Sequence, residues 1–152
     1  MELEKQKLLL MYRNMLRIRR FEERLAEESA RGNIPGLLHL YVGEEAVAVG
    51  ACSTLGKDDY ITSTHRGHGH CIAKGGDLRK MMAELFGKET GYCKGRGGSM
   101  HIAAPDIGIV GCSAIAGGNI PIAAGVGLSS KLRKTDQVCI SFFGDGASNT
   151  GA

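Results

Sequence analysis

Three stretches of this sequence hold residues whose types and spacing could do chemistry. One is Gly144-Asp145-Gly146-Ala147, directly behind the apolar run Val138-Cys139-Ile140-Ser141-Phe142-Phe143. A buried strand that delivers an aspartate between glycines puts one carboxylate at the carboxyl edge of a sheet, where open α/β folds bind ligands. Flanking glycines let the backbone crowd a phosphate, and the aspartate can hold magnesium bridging phosphate oxygens. A plain tight turn accounts for the same residues, since Asp and Gly are both turn formers. The second stretch is Thr64-His65-Arg66-Gly67-His68-Gly69-His70, behind Tyr60-Ile61-Thr62-Ser63. Arginine beside glycine at a strand end suits phosphate recognition through its planar fork. His65, His68 and His70 offer zinc ligands as well, although one short loop converges them poorly and only Cys71 lies near enough to join. Unrelated surface or core histidines are a further reading. His39 and His101 sit in apolar stretches; each reads as a satisfied core histidine or, in a cleft, as a proton-transfer group.

These residues need elements to position them. Residues 1–31 contain no glycine and predict one long helix, with Leu8, Met11, Met15, Ile18, Phe21 and Leu25 forming an apolar stripe. Arg13, Arg17, Arg20 and Arg24 run beside it, and Glu23, Glu27 and Glu28 interleave as partners. That mixture describes a solvated or subunit-facing surface rather than a nucleic-acid contact. Gly32-Asn33-Ile34-Pro35-Gly36 ends the helix. After the apolar segment Leu37–Tyr41, Glu44 and Glu45 open a small-residue helix reaching Leu55. Tyr60–Ser63 predicts a strand, and Asp77 caps a helix carrying Leu78, Met81, Met82, Leu85 and Phe86. Residues 87–119 read as a long functional loop, rich in glycine but ordered by the islands Met100-His101-Ile102 and Ile107–Val110. Ile120–Leu132 predicts a buried helix that lets a neighbour approach closely. Val138–Phe143 predicts a central strand of a parallel sheet. Such a strand should feed a covering helix, so the chain is expected to be an incomplete unit, whether truncated, excised or split.

Composition excludes several classes. The 152 residues are 43% hydrophobic and 23% charged, the balance of a globular chain rather than a disordered one. A net charge of +3 with no tryptophan argues against a dedicated nucleic-acid binder. No apolar run approaches the roughly 18 residues of a membrane span, and the charged N-terminus is unlike a signal peptide. Five cysteines without a Cys-x-x-Cys pair predict reduced, inert thiols and a cytoplasmic location. Glycine is abundant, 23 residues in all, roughly twice the usual share, which points to a backbone that approaches a ligand or to a loop-rich surface. Neither a Walker lysine loop nor a Gly-x-Gly-x-x-Gly dinucleotide turn is present.

Taken in order, Leu38-His39-Leu40-Tyr41-Val42-Gly43-Glu44-Glu45-Ala46, Ile61 to Gly69, Gly95-Arg96-Gly97-Gly98-Ser99-Met100-His101 and Gly144-Asp145-Gly146 form a specific set. The chain resembles the alpha subunits of thiamine-diphosphate-dependent 2-oxo acid dehydrogenase E1 components, among them the acetoin and pyruvate dehydrogenases, along nearly its whole length. The resemblance implies an α/β thiamine-diphosphate-binding fold, a parallel sheet flanked by helices and incomplete at the C-terminus. Residues 1–36 would form an N-terminal helical arm, and residues 37–152 the first portion of the diphosphate-binding domain. It implies that Asp145 binds magnesium, that Gly146 and Ala147 contact the phosphates by backbone, and that Arg66 grips the diphosphate. His65 stands where pyruvate dehydrogenases often have tyrosine, and His39 matches an active-site histidine. Ala114-Ile115-Ala116-Gly117 falls where the family reads Gly-Ile-Val-Gly and hydrogen-bonds the aminopyrimidine by backbone. The literal Gly108-Ile109-Val110-Gly111 lies six residues earlier, and alignment to Pro121 favours the later stretch. Also implied are an E1 beta subunit in an α2β2 assembly, a lipoyl-bearing E2 acceptor, and acetoin or a 2-oxo acid as substrate. The family motif closes downstream with an Asn-Asn pair, so these residues alone are not expected to hold the cofactor tightly or turn over. A non-catalytic remnant that only binds a beta-type partner, and a zinc module on His65, His68 and His70, are the rival expectations.

Overall fold

The computed structural model describes residues 4–151, and what was expected of residues 1–3 and 152 lies outside them. Helix α1 runs Lys5–Ala30, about 39 Å at 1.5 Å per residue. Its core contact deepens along its length: Leu8 is exposed, Met11 and Met15 are partly buried against the core, and Ile18, Phe21 and Leu25 are buried. Arg20 pairs with Glu23, and Arg24 with Glu27 and Glu28, so the second half of the arginine row is neutralised in place. After the chain turns at Gly32–Gly36, residues 37–41 run without regular structure and bury Tyr41.

Helix α2 (Glu45–Cys52) is shorter than expected, because the turn at Ser53 begins before Leu55. Strand β1 (Tyr60–Thr64) follows. Immediately after it comes an element the sequence did not announce, helix α3 (His68–Ala73); the capping Gly67, the helix's own Gly69 and its two histidines hid a helix inside what read as a loop. Helix α4 (Leu78–Leu85) starts where the cap predicts, with the Asp77 side chain accepting the Arg79 and Lys80 N–H groups at 2.8 and 3.0 Å. The stretch 87–119 is not all loop. It contains a 3-10 turn at Pro105–Ile107 and strand β2 (Ile109–Ser113). Helix α5 (Asn119–Arg133) and strand β3 (Cys139–Ser141) follow, and a second 3-10 turn occupies Asp145–Asn149.

The three strands form one parallel sheet in the order β2-β1-β3. Among the described residues the central strand is therefore β1, buried at Ile61, Thr62 and Ser63, and β3 flanks it. Strand β3 is half-buried because, among the described residues, it has a partner on one side only. Alternation along β1 separates the two faces. Ser63 Oγ meets His70 of α3 at 2.8 Å, while Thr62 Oγ1 donates to the Asn119 carbonyl of α5 at 3.3 Å. The first face carries the core, which joins Ile18 and Leu25 of α1, Ile72 of α3, Met81 and Leu85 of α4, and Ile102 and Ile109. Helix α5 was expected to be buried and is not: only Asn119 and Ser130 are, while Ile122, Leu128 and Leu132 face outward. It lies against β1 and β3, and its outer face is left exposed among the described residues. No helix among the described residues is long and apolar enough to cross a membrane.

Candidate functional site

Because the strands are parallel, their carboxyl ends lie on one edge, with Thr64 beside Ser113 and Thr62 beside Ser141. His65 and Arg66 leave the end of β1, Ala114 and Ala116 the end of β2, and Asp145, Gly146 and Ala147 come shortly after β3. The turns behind β2 and β3 touch: a side-chain carbon at Gly117 would sit 2.5 Å from Thr150 Oγ1. Asn119, the first residue of α5, ties that helix to the end of β3. Its Nδ2 donates to the Phe142 carbonyl at 2.6 Å and to Ser141 Oγ at 3.1 Å.

Histidine 39 reaches the same edge from residues 37–41. Its ring meets that of His65 edge to face, centroids 4.9 Å apart. Burial, His39 and Arg66 hold the His65 imidazole below its ordinary pKa. Arg66 Nη1 donates to the Leu40 carbonyl, and its Nε lies 3.8 Å from Glu44 Oε1. The guanidinium is thus turned toward the His39 segment, and no hydrogen bond joins it to Asp145 among the described residues. Asp145 is exposed, and its turn is held by its backbone carbonyl, which accepts from Ser148 Oγ. Its carboxylate stays without a protein partner among the described residues. Gly146 is exposed with open space around its α-carbon, Ala147 is buried beneath, and Ala114 and Ala116 are exposed. The literal Gly108–Gly111 stretch opens β2 instead, away from the carboxyl edge.

The other histidines behave differently from expectation. His68 and His70 are the core histidines, while His39 is half-buried and His101 exposed. His70 is wedged between the Tyr41 hydroxyl at Nε2 and Ser63 Oγ at Nδ1, both at 2.8 Å, and stacks on Phe142. Burial drives its pKa down to about 3, so it is a neutral structural group at neutral pH. His68 turns the other way, toward Glu22 and Ser99. A zinc module on His65, His68 and His70 is therefore overturned: each ring has separate partners, and no metal-holding cluster of three His, Cys, Asp or Glu exists among the described residues. Burial pushes the Cys52 thiol up to about 11 and raises Cys93 and Cys139 as well, which fits the inert reading of those three thiols.

Sequence reasoning missed two buried carboxylates. Glu84 is fully buried, and its two oxygens accept four backbone N–H groups, from Cys93, Gly95, Gly97 and Gly98, at 2.7–3.1 Å. Burial pushes this carboxyl up, but the four donors together more than offset it and hold it below the usual range. Much of the glycine in 87–98 serves this wrap rather than a ligand: a side chain at Gly91 would strike Glu84, and one at Gly95, where φ is +73°, would strike the Gly87 carbonyl. A single Glu on an apolar helical face was the available signal. The second carboxylate, Glu22, sits on the apolar stripe of α1 between Ile18 and Leu25.

An exposed carboxylate without internal partners, beside a glycine that leaves the backbone open, is a donor set suited to magnesium, which takes one or two carboxylates and fills its shell from phosphate and water. The family model described as the dehydrogenase E1 component matches residues 13–152. The alpha subunit of an acetoin:2,6-dichlorophenolindophenol oxidoreductase from Bacillus subtilis strain 168 is 57% identical over 151 residues, 99% of this chain and 45% of that protein. Its counterpart from Cupriavidus necator is 53% identical over 98% of this chain and 45% of its own length. A pyruvate dehydrogenase E1 component subunit alpha from Rhizobium meliloti is 41% identical over 99% of this chain and 43% of its own length. The chain spans less than half the length of these relatives. It belongs to the dehydrogenase E1 component family.

Proposed function

We propose that this chain forms the cofactor-anchoring part of a cytoplasmic E1 alpha subunit that cleaves acetoin or a 2-oxo acid and passes the acyl unit to a lipoyl-bearing E2. One observation carries the reading: three parallel strands deliver His65 and Arg66, Ala114 and Ala116, and Asp145 to a single edge. Thiamine diphosphate, when bound, supplies the electron sink for breaking a bond beside a carbonyl. Asp145 would hold its magnesium, with the Gly146 and Ala147 backbone against the phosphates and Arg66 supplying positive charge. Backbone groups at Ala114 and Ala116 would orient the aminopyrimidine. His39, edge-on to His65, would stand at the substrate as the catalytic group, with His65 contributing a neutral ring to the cofactor pocket. Higher identity to the two acetoin oxidoreductase subunits than to the pyruvate dehydrogenase subunit supports acetoin. A beta-type subunit would complete the site.

Calorimetric titration of magnesium and thiamine diphosphate into the chain, with and without a beta-type partner, tests the reading. Weak binding is expected from the chain alone; with the beta-type partner the expected result is magnesium-dependent, micromolar-range binding that Asp145→Ala removes. Absence of binding in both mixtures refutes a cofactor site here. A second reading, a remnant that only binds a beta-type partner, draws on the exposed row Leu8, Leu9, Tyr12 and Leu16 of α1. A stable complex that takes up no cofactor would establish it.

A further inference from the structure

Helix α1 carries none of the site residues, yet one of its side chains reaches them. Glu22 is fully buried. Its Oε2 accepts the Tyr41 N–H at 3.1 Å, and its Oε1 lies 2.9 Å from His68 Nδ1. Across the ring, His68 Nε2 lies 3.0 Å from Ser99 Oγ and 3.1 Å from the Ser99 carbonyl oxygen, and the same Oγ receives the His39 N–H at 3.4 Å. His68 thus bridges Glu22 and Ser99, and the Ser99 hydroxyl oxygen accepts the His39 N–H. Two routes thus leave one carboxylate, a direct one to Tyr41 and one through His68 and Ser99 to His39. Both end on the same three-residue segment, whose middle carbonyl, Leu40, receives Arg66.

We propose that Glu22 is a positioning residue of the candidate site, fixing the backbone of residues 39–41 and thereby the His39–His65 ring contact and the Leu40 carbonyl that receives Arg66. A buried carboxylate is expensive to desolvate, and an apolar residue on the stripe of α1 would join the helix to the core more cheaply. What an apolar residue could not do is accept the Tyr41 N–H and orient His68. The functional meaning rests on the site reading above, but the placement itself can be read without cofactor or turnover.

The test is ring-proton NMR on the chain with ¹³C-labelled histidine, read beside its thermal melt. In the parent, a cross-relaxation peak between the His39 and His65 rings is expected. Glu22→Gln keeps the shape but offers one acceptor oxygen to two N–H donors, so the variant should lose that peak and shift both ring signals. Glu28→Gln alters another buried carboxylate of α1, whose partners Arg24, Arg31 and Asn33 lie away from the site. It should leave both signals in place even if the melt falls. Ser99→Ala cuts the second route without stranding a charge and should displace the His39 signal; it carries the test if Glu22→Gln does not fold. Unchanged His39 and His65 signals in folded Glu22→Gln, or an unchanged His39 signal in Ser99→Ala, would overturn the proposal. So would equal shifts in Glu28→Gln. Failure of the calorimetric titration with these NMR results intact would remove the functional reading and leave the positioning role standing.

Discussion

Replacing Glu84 by glutamine tests whether one carboxylate organises the glycine-rich segment. The parent side chain accepts four backbone N–H groups, Cys93 and Gly95 on Oε2, Gly97 and Gly98 on Oε1. Glutamine has one oxygen, so two of those donors would face an amide NH2 instead. Hydrogen bonds to a charged group contribute about 1.5–3 kcal/mol each. Two lost bonds, discounted for water that can reach the half-buried donors, amount to about 3 kcal/mol, a sizeable share of the ~5–15 kcal/mol that holds a domain together. Urea unfolding at pH 7 should register that loss, and amide exchange should quicken at Cys93, Gly95, Gly97 and Gly98 before the sheet opens. The pH dependence provides a second reading. The carboxyl sits below its usual range in the folded chain, so the unfolded state takes up the proton first as pH falls. Its contribution is present above the unfolded value of about 4.3 and lost on descending through the lower folded one; Glu84→Gln should flatten that acid limb. A stability within about 0.5 kcal/mol of the parent, with unchanged exchange at the four amides, would refute the reasoning.

Three further outcomes follow from the same geometry. His70 is held neutral with a pKa of about 3, far below the unfolded value of about 6.5. Unfolding therefore takes up a proton between those limits, and stability should fall by up to about 1.4 kcal/mol per pH unit as pH drops from 6.5. His70→Gln should lose that slope in urea titrations at stepped pH, and an unaltered slope would show that another group causes it. Gly95→Ala should cost more than about 1 kcal/mol, because φ is +73° and the new carbon meets the Gly87 carbonyl; a neutral melt would contradict the packing described. Asp77→Ala should cost about 1 kcal/mol through loss of the Arg79 and Lys80 N–H bonds, and fraying confined to α4 by amide exchange would identify the cap as the cause.

Some features were legible because local rules suffice for them. The Asp77 cap, the glycine exit from α1 and the β-rich run Tyr60–Ser63 each depend on residues within a few positions of one another, and each appears where expected. Helix α3 and strand β2 were not legible. Glycine and histidine at the head of α3 weaken helix propensity, and Ile109-Val110-Gly111-Cys112-Ser113 is too short and too glycine-broken to declare a strand until β1 pairs with it. The placement of β3 beside β1 has a similar origin. An apolar run looks central by composition, but its place in the sheet depends on which strands flank it.

The candidate site divides in the same way. By itself the sequence determined which chemistries were available: an aspartate between glycines, an arginine at a strand end, a histidine in an apolar segment, and the ordered set of motifs that marks the family. It could not distribute the histidines, because ring partners come from residues tens of positions away. Tertiary structure decided that His70 would be a neutral core group between Tyr41 and Ser63, that His68 would join Glu22 to Ser99, and that His39 would meet His65. It also decided that Glu84, rather than a ligand, would take the N–H groups of the glycine loop. Buried polar atoms must find partners wherever the fold brings them, and that requirement acts across space, beyond the reach of local spacing.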